Sequence, residues 1–223
     1  MGTAVMIGII DYGMGNLRSV QKAFERVGAV ASVLGAPAEA EACSAVVLPG
    51  VGAFADGMAN LERSGWVESI QSYVGSGRPF LGICLGMQLL FEGSQEGAAA
   101  PDELVAGLGL LQGRVERFVG ESFGPDRLKV PHMGWNRIAW SRPDPLFEGL
   151  EPPAHVYFVH EYHVLPTETG PDTVSGSSQY GGRLCASVWR GNIWGTQFHP
   201  EKSQSVGMRM LANFSDLADG FGR

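Results

Sequence analysis

The first half of the chain alternates short, continuous apolar runs with segments of helical period, and this alternation restricts the fold more than any other feature. Residues 5–10 are apolar except for Gly8, 30–34 form a second run, 45–48 a third that ends at Pro49-Gly50, and 79–84 a fourth. Runs of strand length without polar alternation are the mark of strands buried on both faces. Between them lie helical patterns. Asn16 stands where it caps a helix whose Leu17, Val20, Phe24 and Val27 share one face, with Gly28 at its end. Weaker helical stretches cover 53–63 and 66–74, and another starts over 85–91. Strand and helix in alternation predict a doubly wound α/β fold, a mostly parallel sheet flanked by helices.

The second half reads differently. Residues 93–102 are small and polar and predict a loop. Strands are expected over 115–118, 135–140, 155–165, 184–189 and 193–198, with Gly191-Asn192 as a hairpin turn between the last two. This predicts an additional antiparallel sheet region. Residues 205–219 place Val206, Met210, Phe214 and Leu217 on one helical face, so a helix is expected there. With no repeat or linker in view, residues 1–223 read as a single domain.

Composition narrows the function classes. Charged residues make up 17% of the 223, below the usual ~25%, which argues against disorder. That value fits either a large core or a face covered by a partner. A net charge of −7 without a Lys/Arg run argues against nucleic acid as a main partner. No apolar stretch reaches the roughly 18–20 residues a bilayer crossing needs. The start, MGTAVMIGIIDYG, lacks the basic region of a secretion signal, so a cytoplasmic location is expected. Cys43, Cys84 and Cys185 form no C-x-x-C pair, which suggests neither a disulfide framework nor a zinc site.

The sharpest local motif is Gly82-Ile83-Cys84-Leu85-Gly86. It follows an expected strand and opens an expected helix, the pattern of a nucleophile elbow with cysteine as nucleophile. The glycines leave room for a sharp turn that lifts the side chain out of the sheet. The helix start behind the sulfur favours thiolate over thiol. The turn also presents the Leu85 N–H as an oxyanion donor. A buried cysteine at a tight strand–helix junction would show the same pattern.

A cysteine nucleophile needs a base, and the base needs an orienting group. His199-Pro200-Glu201 stands at the end of an apolar run. In an extended chain residues i and i+2 face the same way, which would put the carboxylate within reach of the imidazole. Alone, this tripeptide also fits a strand-end histidine beside a surface glutamate; paired with the elbow, it reads as the base and its orienter. His160-Glu161-Tyr162-His163 is not H-E-x-x-H and supports no metal site. Gly13-Met14-Gly15 lacks the third glycine of a dinucleotide loop, since Arg18 stands there. Cys43 and Cys185 read as small packed residues.

The elbow cysteine with a distant H-x-E resembles class I, triad-type glutamine amidotransferase domains, and the resemblance covers nearly the whole chain. Pro49-Gly50-Val51-Gly52-Ala53-Phe54, Gly82-Ile83-Cys84-Leu85-Gly86-Met87-Gln88 and Gln197-Phe198-His199-Pro200-Glu201-Lys202-Ser203 fall in the expected order. Asp11-Tyr12-Gly13-Met14-Gly15-Asn16-Leu17-Arg18-Ser19 and Pro131-His132-Met133-Gly134-Trp135-Asn136 resemble the glutaminase subunits of imidazole glycerol phosphate synthases, which serve histidine biosynthesis. The resemblance implies Cys84, His199 and Glu201 as catalytic residues. It adds the Val51-Gly52 backbone to that of Leu85 as oxyanion donors. It implies that Gly52, Gln88, Glu96, His160, Glu161 and Tyr162 bind L-glutamine, with no cofactor. It also implies a heterodimer with a (β/α)₈-barrel cyclase, docked through Asn16, Ser19, Pro131, His132, Met133, Trp135, Tyr157 and Lys202.

One position departs from the family, in which Ser or Thr often follows the histidine at 160. Here it is Glu161. A carboxylate beside the substrate carboxylate would repel it, so the Glu161 backbone is expected to contribute while its side chain points away. Three other readings remain: a glutaminase serving another synthase, of pyridoxal phosphate or anthranilate type; a glutaminase-like binding subunit without chemistry; and a thiol hydrolase of another type with a similar elbow, which would not explain Gln88, Glu96 and the loop 49–54 together. The segments 11–19 and 131–136 separate the first from the leading reading, and the intact Cys84, His199 and Glu201 separate the second.

Overall fold

A computed structural model describes residues 6–100, 103–124, 127–167 and 173–221. Its centre is a seven-stranded sheet in the order β11-β12-β13-β4-β3-β1-β2. These strands are β1 (Met6–Ile10), β2 (Val30–Leu34), β3 (Ala45–Gly50), β4 (Phe80–Cys84), β11 (Val174–Gln179), β12 (Arg183–Arg190) and β13 (Ile193–Thr196). The pairs from β2 through β13 are parallel, while β12 and β11 add an antiparallel edge. The first-half pattern has its physical cause here. Val46 and Leu48 join the core on one face, beneath α2 (Phe54–Arg63) and α3 (Trp66–Gly75). Ala45 and Val47 join the core on the other, beneath α1 (Leu17–Arg26) and α5 (Gln204–Phe221).

Five expectations need correction. The run at 45–48 does not stop at Pro49 but continues as strand through Gly50. Asn16 sits at the cap of α1 without a side-chain capping bond; only its carbonyl accepts, from the N–H groups of Ser19 and Val20. The helix after the elbow, α4, is only Leu85–Leu89. Phe91–Ser94 is instead strand β5, pairing with β7 (Leu111–Arg117) and β6 (Val105–Ala106), so the expected loop begins later. The run at 155–165 breaks at Glu161 into β9 (Ala154–His160) and β10 (Tyr162–Pro166), which enter different sheets. β9 pairs with β8 (His132–Ile138) as a separate ribbon. The Gly191-Asn192 hairpin is present, joining β12 to β13.

Candidate active site

Three parallel strands deliver the site. In β3–β4 pairing Gly50 lies opposite Cys84, and in β13–β4 pairing Thr196 lies opposite Ile83. The segments after β3, β4 and β13 therefore leave the sheet at the same end, side by side. They carry Val51-Gly52, Cys84-Leu85 and Gln197-Phe198-His199. Carboxyl ends of parallel strands are where open α/β sheets place their ligands.

The elbow is sterically strict. Cys84 has φ 55° and ψ −110°, a left-handed backbone that a side chain adopts at a cost. A Cβ on Gly86 would lie 1.8 Å from the Leu48 carbonyl oxygen, and one on Gly82 would lie 2.6 Å from the Gly86 carbonyl oxygen. Only glycine lets the turn pass that close to β3. The Cys84 thiol faces the Val159 carbonyl at 3.8 Å, and the Gln197 side-chain amide donates toward its sulfur at 3.8 Å.

His199 and Glu201 meet as expected but by a different route. Pro200–Lys202 is a 3-10 turn rather than extended chain. The turn brings Glu201 Oε1 to 2.8 Å from His199 Nδ1, with both side chains almost wholly buried. His199 Nε2 is buried and makes no hydrogen bond among the described residues. Burial pushes the His199 pKa down, yet Cys84 and Glu201 outweigh it and raise it above the ordinary 6.5.

A cavity of about 370 Å³ opens beside the sulfur, lined among others by Val51, Gly52, Leu85, Gln88 and Glu96. Cys84, His160, Glu161 and Tyr162 also face it. Every residue expected to hold the oxyanion or the substrate thus lines this cavity. Gln88 donates through Nε2 to the Tyr162 carbonyl at 2.9 Å and to Gln197 Oε1 at 3.0 Å. Glu96 Oε2 accepts from the Phe54 N–H at 2.8 Å, and burial raises its pKa, with Glu161 and Asp56 adding to the rise. The Glu161 carboxylate pairs with Arg117 Nη2 at 3.2 Å at an exposed position. A larger cavity of about 710 Å³ lies at the far end of β4, near Pro79. Its amides, Asn192 and Asn213, are spent on backbone carbonyls.

Two residues escaped the sequence reading. Gln197 bridges Gln88 and Cys84 while fully buried; its place in the motif before His199 was the only available signal. The Tyr12 hydroxyl is buried without a hydrogen-bond partner among the described residues, against Gly50, where a Cβ would come within 2.5 Å of it. Cys43 and Cys185 are packed inside, and burial raises the pKa of both.

The docking candidates fall into two groups. Met133 (62% exposed) and Trp135 (47%) project outward from the ribbon. Trp135 meets the half-buried Tyr157 edge-on, and Lys202 Nζ lies 5.9 Å from the Tyr157 ring. Asn16 is exposed on the adjoining loop, and Ser19 and Pro131 are half-buried. His132 differs: its side chain is 3% exposed and turned inward, so it offers no surface of its own. Alternation along β8 causes this, because residues 132 and 133 face opposite sides.

Comparison with known proteins shows the family. The family profile "Glutamine amidotransferase class-I" matches residues 8–217. The chain is 54% identical over 213 residues to "Imidazole glycerol phosphate synthase subunit HisH" of Syntrophotalea carbinolica, covering 95% of this chain and 100% of that one. It is 51% identical to the protein of the same name from Geobacillus kaustophilus, covering 97% and 99%. The solved structure of a putative GMP synthase component from Thermoplasma acidophilum superposes with a TM-score of 0.70 at 18% identity, over 99% of this chain and 97% of that one, a likeness of fold alone. An elbow cysteine, a buried histidine–glutamate pair and a matched profile spanning nearly the whole chain have one common explanation: the chain belongs to the class-I glutamine amidotransferases, among the glutaminase subunits of imidazole glycerol phosphate synthase.

Proposed function

We propose that Cys84, His199 and Glu201 are the triad by which this chain hydrolyses L-glutamine. Its ammonia goes to the cyclase subunit of the synthase, which makes imidazole glycerol phosphate and aminoimidazole carboxamide ribonucleotide in histidine biosynthesis. Cys84 Sγ attacks the side-chain amide carbon and its proton passes to His199 Nε2, the nitrogen left free for it. The Glu201 carboxylate accepts the Nδ1–H, fixing the tautomer and supporting the charged ring. The oxyanion rests on N–H groups of Leu85 and of the Val51-Gly52 segment. The C–N bond breaks, and His199 returns the proton to the leaving ammonia. Water, activated by the same imidazole, then opens the thioester and releases glutamate.

The substrate is a zwitterion whose charges need partners once desolvated. Glu96 suits its ammonium, and the walls formed by Gly52, Gln88, His160, Glu161 and Tyr162 hold the rest. Residues 1–223 act as one cytoplasmic domain. The cyclase is a (β/α)₈ barrel docked on Met133, Trp135, Tyr157 and Lys202, with Asn16, Ser19, Pro131 and the backbone at His132. The observation that supports the reading is that β3, β4 and β13 run side by side in register, so the three distant motifs that follow them are neighbours, with the motifs after β3 and β4 lining one cavity. The test is Cys84→Ala in the complex. Glutamine-dependent synthesis is expected to vanish while synthesis from added ammonia persists. Retained glutaminase activity overturns the assignment.

A further inference from the structure

The wall of the glutamine cavity opposite the elbow is tied to the partner-side ribbon by two buried histidines. In the β8–β9 register His132 lies opposite His160. Their rings meet through His132 Nδ1 and His160 Nε2 at 3.0 Å. His160 Nδ1 lies 2.8 Å from the Tyr162 carbonyl, the same oxygen that accepts from Gln88. His132 Nε2 lies 3.2 Å from Asn136 Nδ2.

The proton positions in this chain follow from its two ends. At the outer end the Asn136 amide is oriented twice over: Nδ2 donates to the Gln179 carbonyl at 3.0 Å, and Oδ1 accepts the Arg137 N–H at 2.8 Å. Asn136 therefore offers an N–H to His132, whose Nε2 must accept and whose proton must sit on Nδ1. At the inner end a carbonyl faces His160 Nδ1, so that nitrogen carries a proton and Nε2 accepts. Both ends dictate one arrangement: two neutral rings, each protonated at Nδ1, with every bond running toward the Tyr162 carbonyl. A charged His160 would donate to His132 Nδ1, push that ring's proton to Nε2 and set it against the Asn136 N–H. Burial agrees, lowering the His132 pKa to about 4 and the His160 pKa to about 3.

We propose that His132 and His160 are positioning residues: a tautomer-locked relay that holds the Tyr162 carbonyl, and through it Gln88, in place for glutamine. The relay continues through Gln88 Nε2 and Gln197 to the Cys84 sulfur. It begins on the strand that carries Met133 and Trp135, so the ribbon and the nucleophile are joined by one hydrogen-bonded path. The proposal rests on the reading of this cavity as the glutamine site.

The test has two parts. Imidazole nitrogen NMR of the unaltered full chain, with assignment by His132→Asn, is expected to show both rings neutral and protonated at Nδ1. In the complex with cyclase, His132→Phe removes the donor to His160 and is expected to raise KM for glutamine about tenfold, the scale of one lost buried hydrogen bond, with kcat less affected. His132→Asn keeps an N–H near the position of Nδ1 and is expected to restore KM to within about twofold. An Nε2-protonated or charged ring overturns the relay, and so does an unchanged KM in His132→Phe. The spectrum needs no variant to fold in the phenylalanine form, so it decides even where that chain does not. Full glutaminase activity of Cys84→Ala would instead overturn the site reading, a result on which the spectrum does not depend.

Discussion

His199 and His160 are both buried, both lie near Cys84, and they hold protons in opposite ways. His199 has a carboxylate at one ring nitrogen and a sulfur beside the other; despite burial its pKa rises. His160 has a carbonyl at one nitrogen and a second imidazole at the other, and burial lowers its pKa to about 3. The difference is the charge of the neighbours. Under the proposed roles, the ring that takes up and gives back a proton has an anion beside it, and the ring that holds a wall has neutral partners. On that reading two histidines in one site do different work without any difference in side chain.

The first way to break this comparison is to take the anion away. Glu201→Gln keeps the shape but lowers the His199 pKa, and kcat for glutamine is expected to fall by about 10²–10⁴, the scale of an orienting carboxylate in such triads. Ammonia-dependent synthesis by the complex serves as the control.

A smaller effect concerns stability, where the two sites have opposite signs. For His132 and His160 the folded chain disfavours the charged ring, so their contribution is present above pH 6.5 and is lost as pH falls toward about 4 and about 3. For His199 the contribution is present below pH 6.5 and is lost as pH rises through its raised folded value. Unfolding free energies of wild type and His132→Asn from urea titrations, measured from pH 7 down to 4, are expected to converge by on the order of 1–3 kcal/mol. The difference between the two chains isolates the histidine from Glu96 and Asp144, whose pKa values burial raises and which act in the other direction. Parallel curves would mean that His132 is not held neutral.

The smallest effect is expected at Glu161, on the rim beside His160. Its carboxylate is exposed and paired with Arg117, and exposed pairs contribute about 0–1 kcal/mol. Glu161→Gln should change KM for glutamine by less than about threefold. A larger fall in KM would show that the carboxylate repels substrate after all.

The two halves of the chain were not equally legible. Strands buried on both faces leave apolar runs, so β3 and β4 and with them the sheet's parallel half were predictable. The elbow was legible because its two glycines are sterically required. The His199–Glu201 contact was predicted from extended spacing, whereas a 3-10 turn makes it; adjacency was right and the backbone was not. β11 went unseen because VSGSSQ has no apolar signal, being held by its edge pairing with β12. The break at Glu161 is a change of sheet, which periodicity does not register. Gln197 was hidden because an amide in an apolar segment looks like an interruption until its partners are known. His132 was placed on the docking face by its motif, and strand alternation turned it inward.

The most direct test of the account is chemical. The full chain in complex with its cyclase is treated with a glutamine analogue whose amide is replaced by an electrophilic ketone, and the adduct is mapped by mass spectrometry. Cys43 and Cys185 are buried thiols with raised pKa values, so one adduct per chain is expected, on Cys84, with loss of glutaminase activity in step. An adduct on either other cysteine, or full labelling of Cys84 with glutaminase activity intact, would contradict it.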